Sequence, residues 1–274
     1  MQSHRFIQTN LINASKNVDQ FRVWFSPTPF VAASLLDNAK RVAMQVSTTS
    51  NPIFLSLSGG LDSEFVLKAF SHIGASITPV VVVSPFNVVE STYALSLCDL
   101  YNVSPVVLRY DSKPAFIAEL YNRARQYNVH SLISCVTILA AEYAVSQGGD
   151  LITGHCDPFA FAVTCGTTRT IDPVPIPEIL EICAHDFYIE TFFPTLTGSL
   201  LSIDAGVYYA LLSSVSHTLP SEEAKAAMYS IPLRSKSSWD MDLYTMNTRL
   251  LRGNDQHYNI PKSYVMQFLS QYKI

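Results

Sequence analysis

An open parallel α/β sheet with helices on both faces is the architecture predicted for this chain. Three observations predict it. Short β-branched runs alternate with helix-length amphipathic segments over residues 53–157, the pattern of successive strand–helix–strand crossovers. The run at 77–83 is apolar almost throughout, as expected of a strand buried on both faces. Two glycine-containing loops, 58–63 and 154–158, each follow a strand, and sheets of this class bind ligands beyond the carboxyl ends of their strands.

The elements follow in order. Residues 1–50 show no clear strand pattern, but 30–43 reads as a helix, with Val31, Leu35, Leu36, Ala39 and Val42 near helical spacing. Residues 53–57 form a short apolar strand that runs into the first glycine loop. A helix follows, with Phe65, Val66, Ala69, Phe70 and Ile73 on one side and Gly74 as its stop. Next come a strand at 77–83, a helix at 88–101 and a strand at 105–108. Helical stretches at 114–127 and 131–146 end at Gly148-Gly149, and 150–153 is the fourth strand. The prolines of 172–177 forbid regular helix and central strand. Residues 201–216 and 221–229 read as helices, the second with Ser221 as N-cap. A terminal helix is expected at 261–272, with Pro261 in its first turn.

Composition narrows the function. The chain has 274 residues, 48% of them apolar and 15% charged, with a net charge of −4. Average domains carry about 25% charge, so this is a core-forming chain and not a disordered one. The acidic balance argues against a dedicated nucleic-acid binder, which needs a basic footprint. No apolar run approaches the roughly 20 residues of a membrane span. The first residues carry no apolar signal core, so a cytoplasmic location is expected. Cysteines 98, 135, 156, 165 and 183 form no CxxC pair and suggest neither a disulfide framework nor a metal cluster. Cys98, Cys135 and Cys183 read as small buried hydrophobes.

The first loop carries the chemistry. In Ser58-Gly59-Gly60-Leu61-Asp62-Ser63, the glycines let backbone N–H groups approach an anion with no Cβ in the way. The helix that follows adds its dipole and free N–H donors, and Ser58 and Ser63 offer hydroxyls to phosphate oxygens. Asp62 is out of place beside phosphate unless a divalent metal bridges the two. The loop lacks the GxxxxGK[ST] of a Walker A motif. A helix-capping turn explains the same residue types, but a chance S-G-G-x-D-S in a chain this long has odds of roughly 10⁻⁴ to 10⁻³.

This loop resembles the PP-loop of the N-type ATP pyrophosphatases, the adenine nucleotide alpha hydrolase superfamily. The resemblance covers residues 50–160 by motif and element order. It implies a HUP/Rossmann-like core at 50–165, an N-terminal extension at 1–49, and a mostly helical C-terminal region at 166–274 that closes over the site. It also implies ATP and Mg²⁺ as cofactors and cleavage of ATP to AMP and pyrophosphate through an adenylated acceptor. The flavour of L-S-G-G-L-D-S-E is closest to the asparagine-synthetase branch, without an expected glutaminase domain. Thr153-Gly154-His155-Cys156-Asp157 resembles the T-G-H-x-x-D-D signature of tRNA-modifying members but has one acidic residue, followed by Pro158-Phe159.

The resemblance then suggests roles. Ser58, Gly59, Gly60, Leu61, Asp62, Ser63, Val83, His155 and Lys225 would bind ATP. Asp62 and Asp157 would hold Mg²⁺, and Asp62, Arg234 and Lys236 would be catalytic. Asp157 equally reads as a strand-end turn, His155 as a structural histidine, and Cys156 as a packed thiol. In this fold the adenine rests near the end of the second strand, where the Val83 backbone would read its edge; Phe86 either stacks on the base or packs in the core. The segment 225–236 resembles the K…Y…P…R-x-K pattern of stand-alone phage-encoded PP-loop proteins. Its Lys225, Arg234 and Lys236 would neutralise pyrophosphate, or form a surface cluster paired with Asp240, Asp242 and Asp255. The expected partners are ATP and an acceptor such as a carboxylate, with no membrane and no nucleic acid. A homo-oligomer is a further possible partner arrangement, and two other readings fit the same residues: a non-catalytic nucleotide-binding or structural subunit of a larger assembly such as a phage's, and a sulfur- or tRNA-modifying enzyme using Cys156.

Overall fold

The computed structural model describes residues 7–11, 21–25, 33–127, 132–154, 168–171, 174–177, 198–199, 207 and 221–233. Strands β3 (Ile53–Ser56), β4 (Thr78–Val83), β5 (Val106–Arg109) and β6 (Asp150–Thr153) form a parallel sheet in the order β5-β4-β3-β6. This is the 3-2-1-4 order of a HUP/Rossmann-like fold. A two-residue strand, Gly198–Ser199, extends the sheet beyond β6.

Alternation along each strand divides its side chains between two cores, because successive residues point to opposite faces. Leu55, Val81 and Ile152 face a layer made by α1 (Leu35–Val46), α2 (Leu61–His72) and α3 (Val88–Leu100). Phe54, Val80, Val82 and Leu151 face α4 (Lys113–Gln126) and α5 (Leu132–Ser146), meeting Phe116, Ile117, Leu120 and Ile138. Cys98 and Cys135 are buried in these cores. Burial pushes their thiols up to about 11 and about 12, so both stay protonated near neutral pH and pack as hydrophobes.

The helices start where local chemistry allows. Ser34 caps α1, its Oγ accepting from the Asp37 N–H at 3.1 Å, so the helix begins at Leu35 and not at residue 30. Ser112 caps α4 in the same way through the Ala115 N–H at 3.2 Å, with Pro114 in the first turn.

Two regions hold strands that the sequence reading did not place. Residues 1–50 do contain strands: β1 (Ile7–Leu11) and β2 (Phe21–Phe25) pair antiparallel, Ile7 opposite Phe25. The 166–274 region holds strands as well as helix. Thr168–Ile171 and Val174–Pro177 form a separate antiparallel pair, β7 and β8, which accommodates the prolines because a two-stranded ribbon is all edge. Gly198–Ser199 is β9, and α6 (Ser221–Tyr229) is the last element among the described residues. The helices expected at 201–216 (apart from Val207) and 261–272 lie outside the described residues. No helix among the described residues is long and apolar enough to cross a membrane.

Asp150 opens β6 at the edge of the sheet opposite the glycine loops and is 1% exposed. One carboxylate oxygen accepts from Asn51 Nδ2 at 3.3 Å, and the other has no hydrogen-bond partner among the described residues. Burial raises its pKa, against the opposing Asn51 hydrogen bond. A carboxyl that holds its proton more tightly when folded contributes its full stability below its unfolded pKa and loses it as pH rises through the raised value. Asp150→Asn is therefore expected to stabilise the protein at neutral pH by about 1 kcal/mol, with the gain vanishing in acid. Thermal unfolding of both proteins across a pH series checks this.

Candidate functional site

The carboxyl end of β3 leads through Leu57-Ser58-Gly59-Gly60 into α2. Gly59 has φ +81°, a left-handed conformation that glycine adopts at little cost. A Cβ there would be driven into the Glu90 carbonyl oxygen of α3 and lie 3.0 Å from the Ala94 nitrogen. The loop is thus pressed against α3, and only a glycine fits. Ser63 Oγ donates to the Gly60 carbonyl at 3.0 Å and lies 3.2 Å from Ser58 Oγ. The Ser58 N–H donates back to Ser63 Oγ at 3.3 Å. The two serines brace the turn from inside.

No side chain caps α2: its N-cap is Gly60, in contrast to the serine caps of α1 and α4. Nor does any side chain cap α3. Its N-cap, Asn87, turns away, donating from Nδ2 to the Val82 carbonyl at 2.8 Å and accepting from Ser84. Two helix N-termini beside the ends of β3 and β4 are therefore left without a side-chain cap, and helix N-termini favour anions.

Asp62, in the first turn of α2, is held from α6. Its Oδ2 accepts from Lys225 Nζ at 3.0 Å and its Oδ1 from the Tyr229 hydroxyl at 2.7 Å. The Lys225 side chain is 9% exposed and that of Asp62 28%, so the ion pair is largely withdrawn from water. The spacing of four residues puts Lys225 and Tyr229 on one helix face. The Tyr229 ring stacks on Phe65 of α2, centroids 4.5 Å apart at 17°. Lys68 of α2 donates to the Tyr229 and Ser230 carbonyls at 3.0 and 2.9 Å. Ser230, at φ +50°, lets the chain reverse so that the Ile231 N–H reaches the Ala226 carbonyl at 3.0 Å, a Schellman end. The docking is reciprocal: α6 grips the start of α2, and α2 caps the end of α6.

Gly154, the first residue of the second loop, meets the first loop's helix. A Cβ on Gly154 would lie 2.7 Å from the Asp62 carbonyl carbon and 2.8 Å from the Ser63 nitrogen. Gly154, directly after β6, therefore packs on the backbone of α2's first turn. Of the residues expected in the site, Ser58, Gly59, Gly60, Leu61, Asp62, Ser63 and Lys225 come together. Val83 ends β4, and its carbonyl accepts from the Tyr110 N–H at 2.8 Å. Phe86 packs in the core, 2% exposed, beside Phe116, with Lys113 Nζ 4.8 Å from its ring centroid. His155, Cys156, Asp157, Arg234 and Lys236 lie outside the described residues.

Tyr229 and Lys68 were not expected in the site. Tyr229 had a signal, its position four residues after Lys225 in a helical segment. Lys68 had none, because it acts on backbone carbonyls far away in the chain.

A divalent cation needs several oxygen ligands. Among the described residues no group of three or more His, Cys, Asp or Glu converges, and each Asp62 oxygen already accepts a hydrogen bond. The described residues therefore do not by themselves make a magnesium site at Asp62.

No family model matches the sequence, and no curated protein matches it. Solved structures give distant matches. The NMN synthetase of Francisella tularensis is 14% identical, with 81% of this chain and 96% of that chain covered and a TM-score of 0.37. The NH₃-dependent NAD synthetase of Campylobacter jejuni, in complex with nitrate, is 15% identical over 86% of this chain and 90% of that one, TM-score 0.37. The glutamine-dependent NAD⁺ synthetase of Acinetobacter baumannii, in complex with ADP, is 14% identical, TM-score 0.33, over 47% of this chain and 27% of its own length.

Proposed function

We propose that the chain binds ATP on the 58–63 loop and cleaves it to AMP and pyrophosphate, adenylating an acceptor that is a carboxylate. The observation that carries this reading is the strand–loop–helix itself. Gly59 sits in the left-handed region against α3, and α2 begins without a side-chain cap, which leaves backbone N–H groups for an anion.

In the reaction, an acceptor carboxylate oxygen attacks the α-phosphorus. The bond from that phosphorus to the oxygen bridging to the β-phosphorus breaks, and pyrophosphate leaves. An amine or ammonia then attacks the acyl carbon, AMP departs with its oxygen, and the nitrogen loses a proton to water. The loop's work is orientation and charge stabilisation, with no protein acid or base required. Backbone N–H groups of Gly59, Leu61, Asp62 and Ser63 hold the phosphates, since those of Ser58 and Gly60 donate within the loop. Lys225 supplies a cation at the loop, and Arg234 and Lys236, three and five residues beyond Ile231, act on leaving pyrophosphate. Val83 and His155 complete the nucleotide contacts in this proposal.

Incubation with ATP, magnesium, a panel of carboxylates and ammonium tests the reading. AMP and pyrophosphate are expected, with Asp62→Ala inactive. ADP and phosphate would overturn the AMP-forming assignment. ATP binding without turnover on any acceptor would leave a non-catalytic nucleotide-binding subunit as the function.

A further inference from the structure

A carboxylate in a phosphate loop demands a counter-charge, since it repels the ligand. The geometry points to Lys225, not a divalent metal, as that counter-charge: Asp62 is a positioning residue that holds the Lys225 ammonium at the loop as its resident cation. This rests on the nucleotide-loop reading and reassigns the role of Asp62 within it.

Three observations carry the inference. Both Asp62 oxygens are already occupied by donors from a single helix face, Lys225 Nζ at 3.0 Å and the Tyr229 hydroxyl at 2.7 Å. A metal at Asp62 would have to share the carboxylate with both donors and stand against an ammonium a few ångströms away, a like-charge contact. Second, the ammonium is delivered by a fixed scaffold. Tyr229 is 1% exposed and stacked on Phe65, and Lys68 ties down the carbonyl end of α6 from the other side. Third, Lys225 is itself buried, and a buried ammonium needs an anionic partner. Asp62 and Lys225 thus neutralise each other in the nucleotide-free loop. An arriving phosphate meets backbone N–H groups and an oriented cation, with no bare carboxylate in its way. Magnesium, where the chemistry needs it, then travels on the nucleotide's own phosphates.

The full chain is titrated with ATP in EDTA and in magnesium, and with Mn²⁺ alone followed by electron paramagnetic resonance. Wild type is expected to bind ATP in EDTA within about three-fold of its affinity in magnesium and to bind no Mn²⁺ without nucleotide. Lys225→Met is expected to weaken binding in EDTA by about ten-fold or more, the scale of a charge-assisted hydrogen bond. Lys225→Arg should recover most of it, because the charge is restored. Tyr229→Phe keeps the stacked ring and serves as the variant that stays folded. It should weaken binding in EDTA by about two- to five-fold, less than the loss of the ammonium, because the missing hydrogen bond orients Asp62 and does not touch the ligand. ATP binding that requires magnesium, together with Mn²⁺ bound to the nucleotide-free protein and lost in Asp62→Asn, would overturn the inference and leave the loop reading standing. No ATP binding under either condition would overturn the loop reading itself, and this inference with it.

Discussion

Gly59→Ala is expected to lose nucleotide binding and part of the protein's stability together. The left-handed φ of +81° costs an L-residue about 1–2 kcal/mol. The added methyl would also be forced into the Glu90 carbonyl oxygen and come within 3.0 Å of the Ala94 nitrogen. Both atoms are backbone of α3 and cannot swing aside as a flexible side chain would. Relief therefore comes from the loop, whose N–H groups move off the position where phosphate is held. ATP affinity should fall by about ten-fold or more, equivalent to about 1.4 kcal/mol or more, with a lowered melting temperature. Unchanged affinity and melting temperature would contradict the close approach of loop and helix.

Phe65→Ala is the largest single loss of packing expected in the site. Phe65 is fully buried, and its ring supports Tyr229. Removing a buried phenylalanine costs about 3–5 kcal/mol, and an aromatic pair adds to plain area burial. The cavity opens between α2 and α6, so the Lys225 and Tyr229 grip on Asp62 should loosen as well. Urea unfolding is expected to show a stability loss in that range, and protease cleavage near α6 should accelerate. A loss below about 1 kcal/mol would mean that α6 is not anchored by this ring.

The parallel sheet was legible because burial on two faces demands apolar strands. Ile53-Phe54-Leu55 and Pro79-Val80-Val81-Val82 carry that demand in plain sight, and each glycine loop sits at a strand's end. The loop residues were legible for a similar reason: glycines and serines ahead of an apolar helix have few uses. The β1–β2 and β7–β8 ribbons were not, because short two-stranded pairs depend on register between separate segments and leave little trace in local periodicity. The prolines at 175 and 177 argue only against helix and central strand, and a two-stranded ribbon is neither. Lys225 stood out as a cation in a low-charge chain. Its partner did not: Asp62 lies 163 residues away, and the sequence pointed that carboxylate toward a metal. Tyr229 lay within the 225–236 pattern without a role, and Lys68 acts through a helix–helix contact that no local motif encodes.

The function proposed for this chain stands on 58–63 being a phosphate-binding loop. A crystal structure of the full chain with a non-hydrolysable ATP analogue tests it most directly. Phosphate oxygens are expected within hydrogen-bond distance of backbone N–H groups in the Gly59–Ser63 turn, with the Lys225 ammonium beside them. An analogue bound elsewhere on the chain, with this loop touching only protein, would contradict it.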